Sequence, residues 1–309
     1  MLTDPLFPAS QPRLVRQMAV GEGHMIYVEE CAAVDGLPVI FLHGGPGSGC
    51  SPNQRRLFDP TRYRAIMLDQ RGCGRSRPLG YTQANTTAHL VADLEYLREA
   101  LGIQRWLVFG GSWGGLLALA YAQTYPERVL GLVLRGIFLG SRQEINAYAR
   151  AAALVAGRFS SHSDENALTP WLAAVMSHEA PLALSAICAW LDYERLLMGE
   201  APLDDVPDAG QVAKVRLQMH YLANDCFLLP GQLLAGIEQL RHLPAAIVQG
   251  LADPVCPPMV AETLHLAWPE AAWWPVADGG HGALSPPIAR ACIDALDWVA
   301  AAEGGKQCT

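Results

Sequence analysis

Three residues able to supply a nucleophile, its base and the base's partner stand along the 309-residue chain in the order Ser112, Asp253, His281. Ser112 lies in Gly110-Gly111-Ser112-Trp113-Gly114-Gly115, which contains G-x-S-x-G. A serine hydroxyl is a weak nucleophile until a base takes its proton, and a glycine-rich strand-to-helix turn is one way to lift it above a sheet within reach of that base. An ordinary glycine-rich loop would match the same five residues, so the flanks decide. Residues 105–109 read as a buried strand and residues 116–122 as a helix without a breaker. The serine therefore sits at the apex, and the first backbone N–H groups of the helix, from Trp113 onward, face the space beside its hydroxyl.

The acid and the base follow from placement. Asp253 comes just past the apolar run 244–250, where a triad carboxylate belongs in a parallel sheet, and His281 lies in Asp278-Gly279-Gly280-His281-Gly282. Of the nine histidines, His265 also follows the acid but sits in a helical pattern. Asp278 is the competing carboxylate, yet it precedes His281 by only three residues and would have to reach round to Nδ1. Another apolar run, residues 37–43, leads into His43-Gly44-Gly45-Pro46-Gly47-Ser48-Gly49. A phosphate cradle is one reading of this loop, but no G-K-[ST] follows and Pro46 removes a donor. The preferred reading is an oxyanion loop, with a backbone N–H near Gly45 joining that of Trp113. Asp69 and Arg71, beside a glycine turn, are read as a structural charged pair.

The elements that must position these residues alternate along the chain. An early strand is expected at residues 24–30, a turn at Asp35-Gly36, and a buried strand at 63–69. Residues 86–101 read as a helix with Thr87 as cap and Leu90, Val91, Leu94, Leu97 and Leu101 on one face; a strand follows at 129–139. From 140 to 242 the pattern turns helical, with loops at 160–164 and 202–207, and strands resume at 244–250 and 272–276. The expected architecture is an α/β-hydrolase fold: a mostly parallel, doubly wound sheet formed by 1–139 and 243–309, with a helical cap, 140–242, inserted after the sixth strand. The cap carries seven basic against twelve acidic residues, a net −5 of the chain's −8. Solvation accounts for such acidity, and it would also favour a cationic substrate.

Composition narrows the classes further. At 51% hydrophobic and 17% charged the chain can bury a large core, and no basic stripe suits it to nucleic acid. The N-terminus lacks a signal-peptide pattern, and no apolar run reaches the roughly 20 residues of a membrane span, so a cytoplasmic protein without membrane contact is expected. Eight scattered cysteines without C-x-x-C spacing read as reduced thiols. There is no H-E-x-x-H and no ligand spacing among the histidines, so neither metal nor other cofactor is called for.

Taken together, His43-Gly44-Gly45-Pro46-Gly47, Asp69-Gln70-Arg71-Gly72, Gly110-Gly111-Ser112-Trp113-Gly114-Gly115, the Asp253 loop and Gly280-His281 resemble the proline iminopeptidases (prolyl aminopeptidases) over nearly the whole chain. The resemblance implies a serine aminopeptidase that releases an N-terminal residue, preferentially proline, from a small peptide or amide with a free N-terminus. Its catalytic residues would be Ser112, Asp253 and His281, with the backbone of Gly45 and Trp113 as oxyanion hole and Gly44 beside the substrate. In that family glutamates of the cap recognise the free amine. Trp190-Leu191-Asp192-Tyr193-Glu194 is similar to the segment bearing one of them, which assigns that role to Glu194. Val215-Arg216-Leu217-Gln218-Met219-His220-Tyr221-Leu222 resembles the family's A-R-I-E-N-H-Y-F, with Gln218 in place of the second glutamate. Gln218 could accept a hydrogen bond from an ammonium, and Asp225 could supply the missing charge. An esterase, amidase or lactonase of the same fold is the alternative. A non-catalytic ligand-binding member is a third, against which the complete Ser112, Asp253 and His281 set argues.

Overall fold

The computed structural model describes residues 4–160 and 164–306. In chain order the sheet and its helices are β1 (Leu14–Ala19), β2 (Met25–Ala32), β3 (Leu37–Leu42), β4 (Tyr63–Asp69), α1 (Thr87–Ala100), β5 (Trp106–Ser112), α2 (Trp113–Thr124) and β6 (Val129–Ile137). Helices α3 (Arg142–Ala156), α4 (Thr169–Val175), α5 (Ala180–Leu197), α6 (Ala209–Ala223) and α7 (Gln232–Ala235) follow, then β7 (Ala245–Gly250), α8 (Pro258–Ala267), β8 (Ala272–Val276) and α9 (Pro286–Lys306). The eight strands form one sheet in the order β1-β2-β4-β3-β5-β6-β7-β8. From β4 to β8 all neighbours are parallel; β1 and β2 close one edge antiparallel.

The period of two along each strand divides the core. Val39, Phe41, Leu107, Phe109, Val133 and Val248 point to one face, covered by Ile288, Cys292, Leu296 and Val299 of α9. Ile40, Leu42, Val108, Leu132, Leu134 and Ile247 point to the other, where α1, α2 and α8 pack. Burial on both faces is why these strands read as unbroken apolar runs. β1 departs from that pattern. Its residues are mostly exposed, and Arg13 and Arg16 instead converge on Glu30 of β2, each at 3.0 Å. Charge along an edge strand discourages pairing with another chain.

Two local expectations change. The N-cap of α1 is Thr86, whose hydroxyl accepts from His89 N–H, while Thr87 Oγ1 donates to the Cys226 carbonyl. Asp69 and Arg71 do not pair with each other. Asp69 accepts from Cys50 N–H and from Arg75, and Arg71 meets Asp93 at 2.6 Å through Nε. Both serve structure, as expected. The expected loop at 160–164 lies partly outside the described residues, and the seven described cysteines are all free.

No strand occurs among the described residues between 140 and 242. Capping boxes start α3 (Ser141 with Glu144) and α6 (Asp208 with Gln211), and ring contacts among Trp171, Trp190, Tyr148 and Tyr193, tilted or edge to face, knit α3, α4 and α5 together. Helix α6 lies directly on the loop after β3. A Cβ on Gly47 would come within 3.0 Å of Lys214 Cα, so glycine alone permits this approach. Tyr221 of the same helix packs its ring, tilted, against Trp113 with centroids 4.6 Å apart.

Candidate active site

Ser112 ends β5 and precedes α2 with φ 57° and ψ −125°, a conformation side chains rarely adopt. The strain is held by close backbone contacts on either side. A Cβ on Gly110 would overlap the Gly114 carbonyl, and one on Gly114 would overlap that of Leu42. Gly111 is a milder case, because a Cβ there would lie 2.5 Å from the Arg135 guanidinium, the end of a side chain that would have to shift; Gly115 has only an ordinary contact at 3.6 Å. Two of the four flanking glycines are therefore demanded by backbone packing.

His281 Nδ1 lies 2.8 Å from Asp253 Oδ2. The carboxylate takes the Nδ1–H, which leaves the Nε2 lone pair free to accept a proton. Asp253 Oδ1 accepts from the N–H groups of Val255 and Cys256, both at 2.9 Å, and Gln249 ties this loop to the end of β6 through Cys256 O and Ile137 N. Burial works against the Asp253 charge, but its bond to His281, the imidazole's charge and the two N–H donors outweigh that and hold its pKa below the usual value. The competitor Asp278 is exposed on its turn. Among the described residues no hydrogen bond joins Ser112 Oγ to His281; its polar neighbour is Cys256 Sγ at 3.9 Å. Such bonds often tighten only when substrate is bound.

The loop between β3 and the 3₁₀ turn Pro52–Leu57 lies beside the serine: a Cβ on Gly44 would stand 3.5 Å from Ser112 Cβ. One buried side chain joins the two expected halves of the oxyanion hole. Gln70 donates to the His43 carbonyl at 3.0 Å and accepts from the Trp113 indole at 2.8 Å. Gln70 N–H also reaches His43 Nε2, which fixes a neutral His43 with its proton on Nδ1, toward Gly44 O.

Above these residues opens a cavity of about 1220 Å³, lined by Ser112 and His281 and by Tyr148, Trp190, Glu194 and Gln218 from the helices. Glu194 is there, but it is already engaged: Lys214 Nζ donates to Oε2 at 2.8 Å and Gln218 Nε2 to Oε1 at 2.7 Å. The Oε1 of Gln218, the expected acceptor for an ammonium, already takes the Trp190 indole N–H at 3.1 Å and keeps one lone pair free. Asp225 also lines the cavity and pairs there with Arg142.

Sequence reasoning missed Lys214 and Arg135. Lys214 stands one helical turn before Gln218, so the i,i+4 spacing was the available signal. Arg135 is the one charge in the apolar run of β6. Its Nη1 donates to His281 O at 2.7 Å. Burial and then the Arg135 charge lower the His281 pKa, against the pull of Asp253. A lowered pKa keeps the base neutral further into acid, so the acid limb of kcat/KM is expected below the ordinary histidine value of about 6.5. Arg135→Met removes a cation that opposes imidazolium and should raise that limb, whereas Arg135→Lys should hold it. A fall in rate with no shift of the limb would make Arg135 a scaffold residue only.

Comparison with known proteins bears on the fold and the family. The alpha/beta hydrolase fold family matches residues 38–285. A proline iminopeptidase of Neisseria gonorrhoeae is 43% identical over 94% of this chain and 98% of its own length. One from Arabidopsis thaliana is 39% identical over 97% of this chain and 83% of its own. Among solved structures, a proline iminopeptidase-related protein from Thermus thermophilus superposes with a TM-score of 0.62 at 24% identity, covering 94% of this chain and 99% of the other. At that identity the structure speaks for the fold, while the sequence relatives carry the finer assignment: the chain belongs to the proline iminopeptidase family of α/β hydrolases.

Proposed function

We propose that this protein is a serine aminopeptidase that releases an N-terminal residue, preferentially proline, from small peptides and amides. The observation that carries the reading is the pairing of His281 with buried Asp253, the imidazole sharing one cavity with a serine held in a strained strand-to-helix turn. Ser112 Oγ attacks the carbonyl of the first residue while its proton passes to His281 Nε2; the tetrahedral oxyanion takes hydrogen bonds from the backbone N–H groups of Gly45 and Trp113. As the C–N bond breaks, His281 returns the proton to the leaving amine. Water, deprotonated by the same imidazole, then releases the acyl group from Ser112. Residues 140–242 act as a cap that shields these steps, and the free thiols suit a reducing cytoplasm.

Glu194 is the cap carboxylate assigned to the substrate's amine. Prolyl β-naphthylamide should be hydrolysed, and Glu194→Gln should lower kcat/KM for it by about 10², since a partly buried cation loses its partner and Lys214 is left uncompensated. An uncharged acyl ester should be affected far less. Equal losses on both would make Glu194 structural. The second reading, an esterase, amidase or lactonase, is favoured by one observation, the occupation of Glu194 by Lys214. Cleavage of small esters without any cleavage of prolyl amides would establish it in place of the peptidase.

A further inference from the structure

The lining of the cavity is electrically balanced. Besides His281 it holds Glu144, Glu194 and Asp225 against Arg135, Arg142 and Lys214. Each carboxylate is committed. Glu144 caps α3 by accepting from Leu139 N–H and Ser141 N–H, and Asp225 is paired with Arg142. The pair that faces the reacting end is Lys214 with Glu194, its side chains 26% and 18% exposed, too buried for solvent to screen it fully.

The fold leaves this pair little alternative. Lys214 Cα is pressed against the Gly47 backbone, so its stem begins beside the oxyanion loop. One turn along α6, Gln218 turns its amide NH₂ to Glu194 and to the Gly45 carbonyl, offering donors where an ammonium needs acceptors. An incoming amine thus meets a carboxylate already neutralised by one cation and bonded by a second donor. Selectivity is a difference in binding energy between alternatives, and an interaction the protein already makes for itself contributes little to that difference.

We propose that Lys214 occupies the place of the substrate's protonated amine on Glu194, so that the cavity binds an uncharged first residue as readily as one bearing an ammonium. The inference rests on the aminopeptidase reading of the cavity and names Lys214 as the residue that sets its selectivity. Lys214 must swing aside for an amine, whereas an uncharged acyl group leaves the pair intact.

The test is competitive inhibition of p-nitrophenyl acetate hydrolysis by prolinol, which carries the amine, and by cyclopentylmethanol, its uncharged isostere. In the parent protein the two inhibition constants should lie within a few-fold of each other. The preference for prolinol should rise at least about tenfold in Lys214→Met and Lys214→Gln, rise further in Lys214→Glu, and stay at the parent value in Lys214→Arg. Two neutral variants guard against one failing to fold. A preference that is flat across the series, or that falls from lysine to glutamate, overturns the proposal. Prolyl amide turnover is not used, so failure of the parent to cleave such amides would refute the peptidase reading while the ratio still decides the role of Lys214.

Discussion

Ser112→Ala is expected to lower kcat for a prolyl amide by about 10⁶ and to leave the fold unchanged. The rate falls because the hydroxyl is the only group at the turn that can form the acyl bond, and what remains is acceleration by the oxyanion donors and by binding. Stability is expected to hold within about 0.5 kcal/mol. Alanine keeps the Cβ, so the strain at φ 57° and the contacts of Gly110 and Gly114 are the same in both proteins. Ser112 Oγ makes only a long contact to Cys256 Sγ, so little bonding is lost. A fluorophosphonate should label the parent at Ser112 and fail to label the variant, with superimposable thermal melts. Labelling at another serine, or full activity in the alanine protein, would remove Ser112 from its role.

The turn was legible because its requirements are local. A buried strand, close-packed glycines and a helix without a breaker fall within about twenty residues, and each leaves a mark on the sequence. The parallel strands were legible for a similar reason: burial on both faces makes the 63–69 run apolar over the whole length of β4. β1 was not, because an edge strand stabilised by Arg13, Arg16 and Glu30 looks like a polar loop. The charges of the site were harder still. Glu194 and Lys214 lie on different helices, and Arg135 meets a histidine 146 positions away, so their pairing depends on how the elements pack. The same holds for the acidity of residues 140–242. Solvation accounts for its net charge, which would also favour a cationic substrate, and the cavity lining itself is balanced.

The choice between Asp253 and Asp278 produces the other large expected effect. Asp253→Asn should lower kcat by about 10⁴, and Asp278→Asn should leave it within about twofold. The size of the first follows from the bonds that hold the carboxylate. Val255 and Cys256 direct their N–H groups at Asp253 Oδ1, so in the asparagine protein the amide oxygen must remain there and the NH₂ must face His281. An imidazole nitrogen facing a donor has to be the acceptor. The ring proton then moves from Nδ1 to Nε2, and the lone pair that should receive the serine's proton is gone. Asp278, exposed on the preceding turn, makes no demand on the tautomer. Nitrogen-15 spectra of the histidine should therefore show the neutral imidazole protonated at Nδ1 in the parent and at Nε2 in Asp253→Asn. Losing the carboxylate also removes the interaction that opposes burial and Arg135, so the imidazole of this variant should titrate lower than in the parent. If Asp278→Asn proves the more damaging change, or if Asp253→Asn is slow while its imidazole keeps the parent tautomer, Asp253 acts as a brace for the loop and the triad carboxylate lies elsewhere.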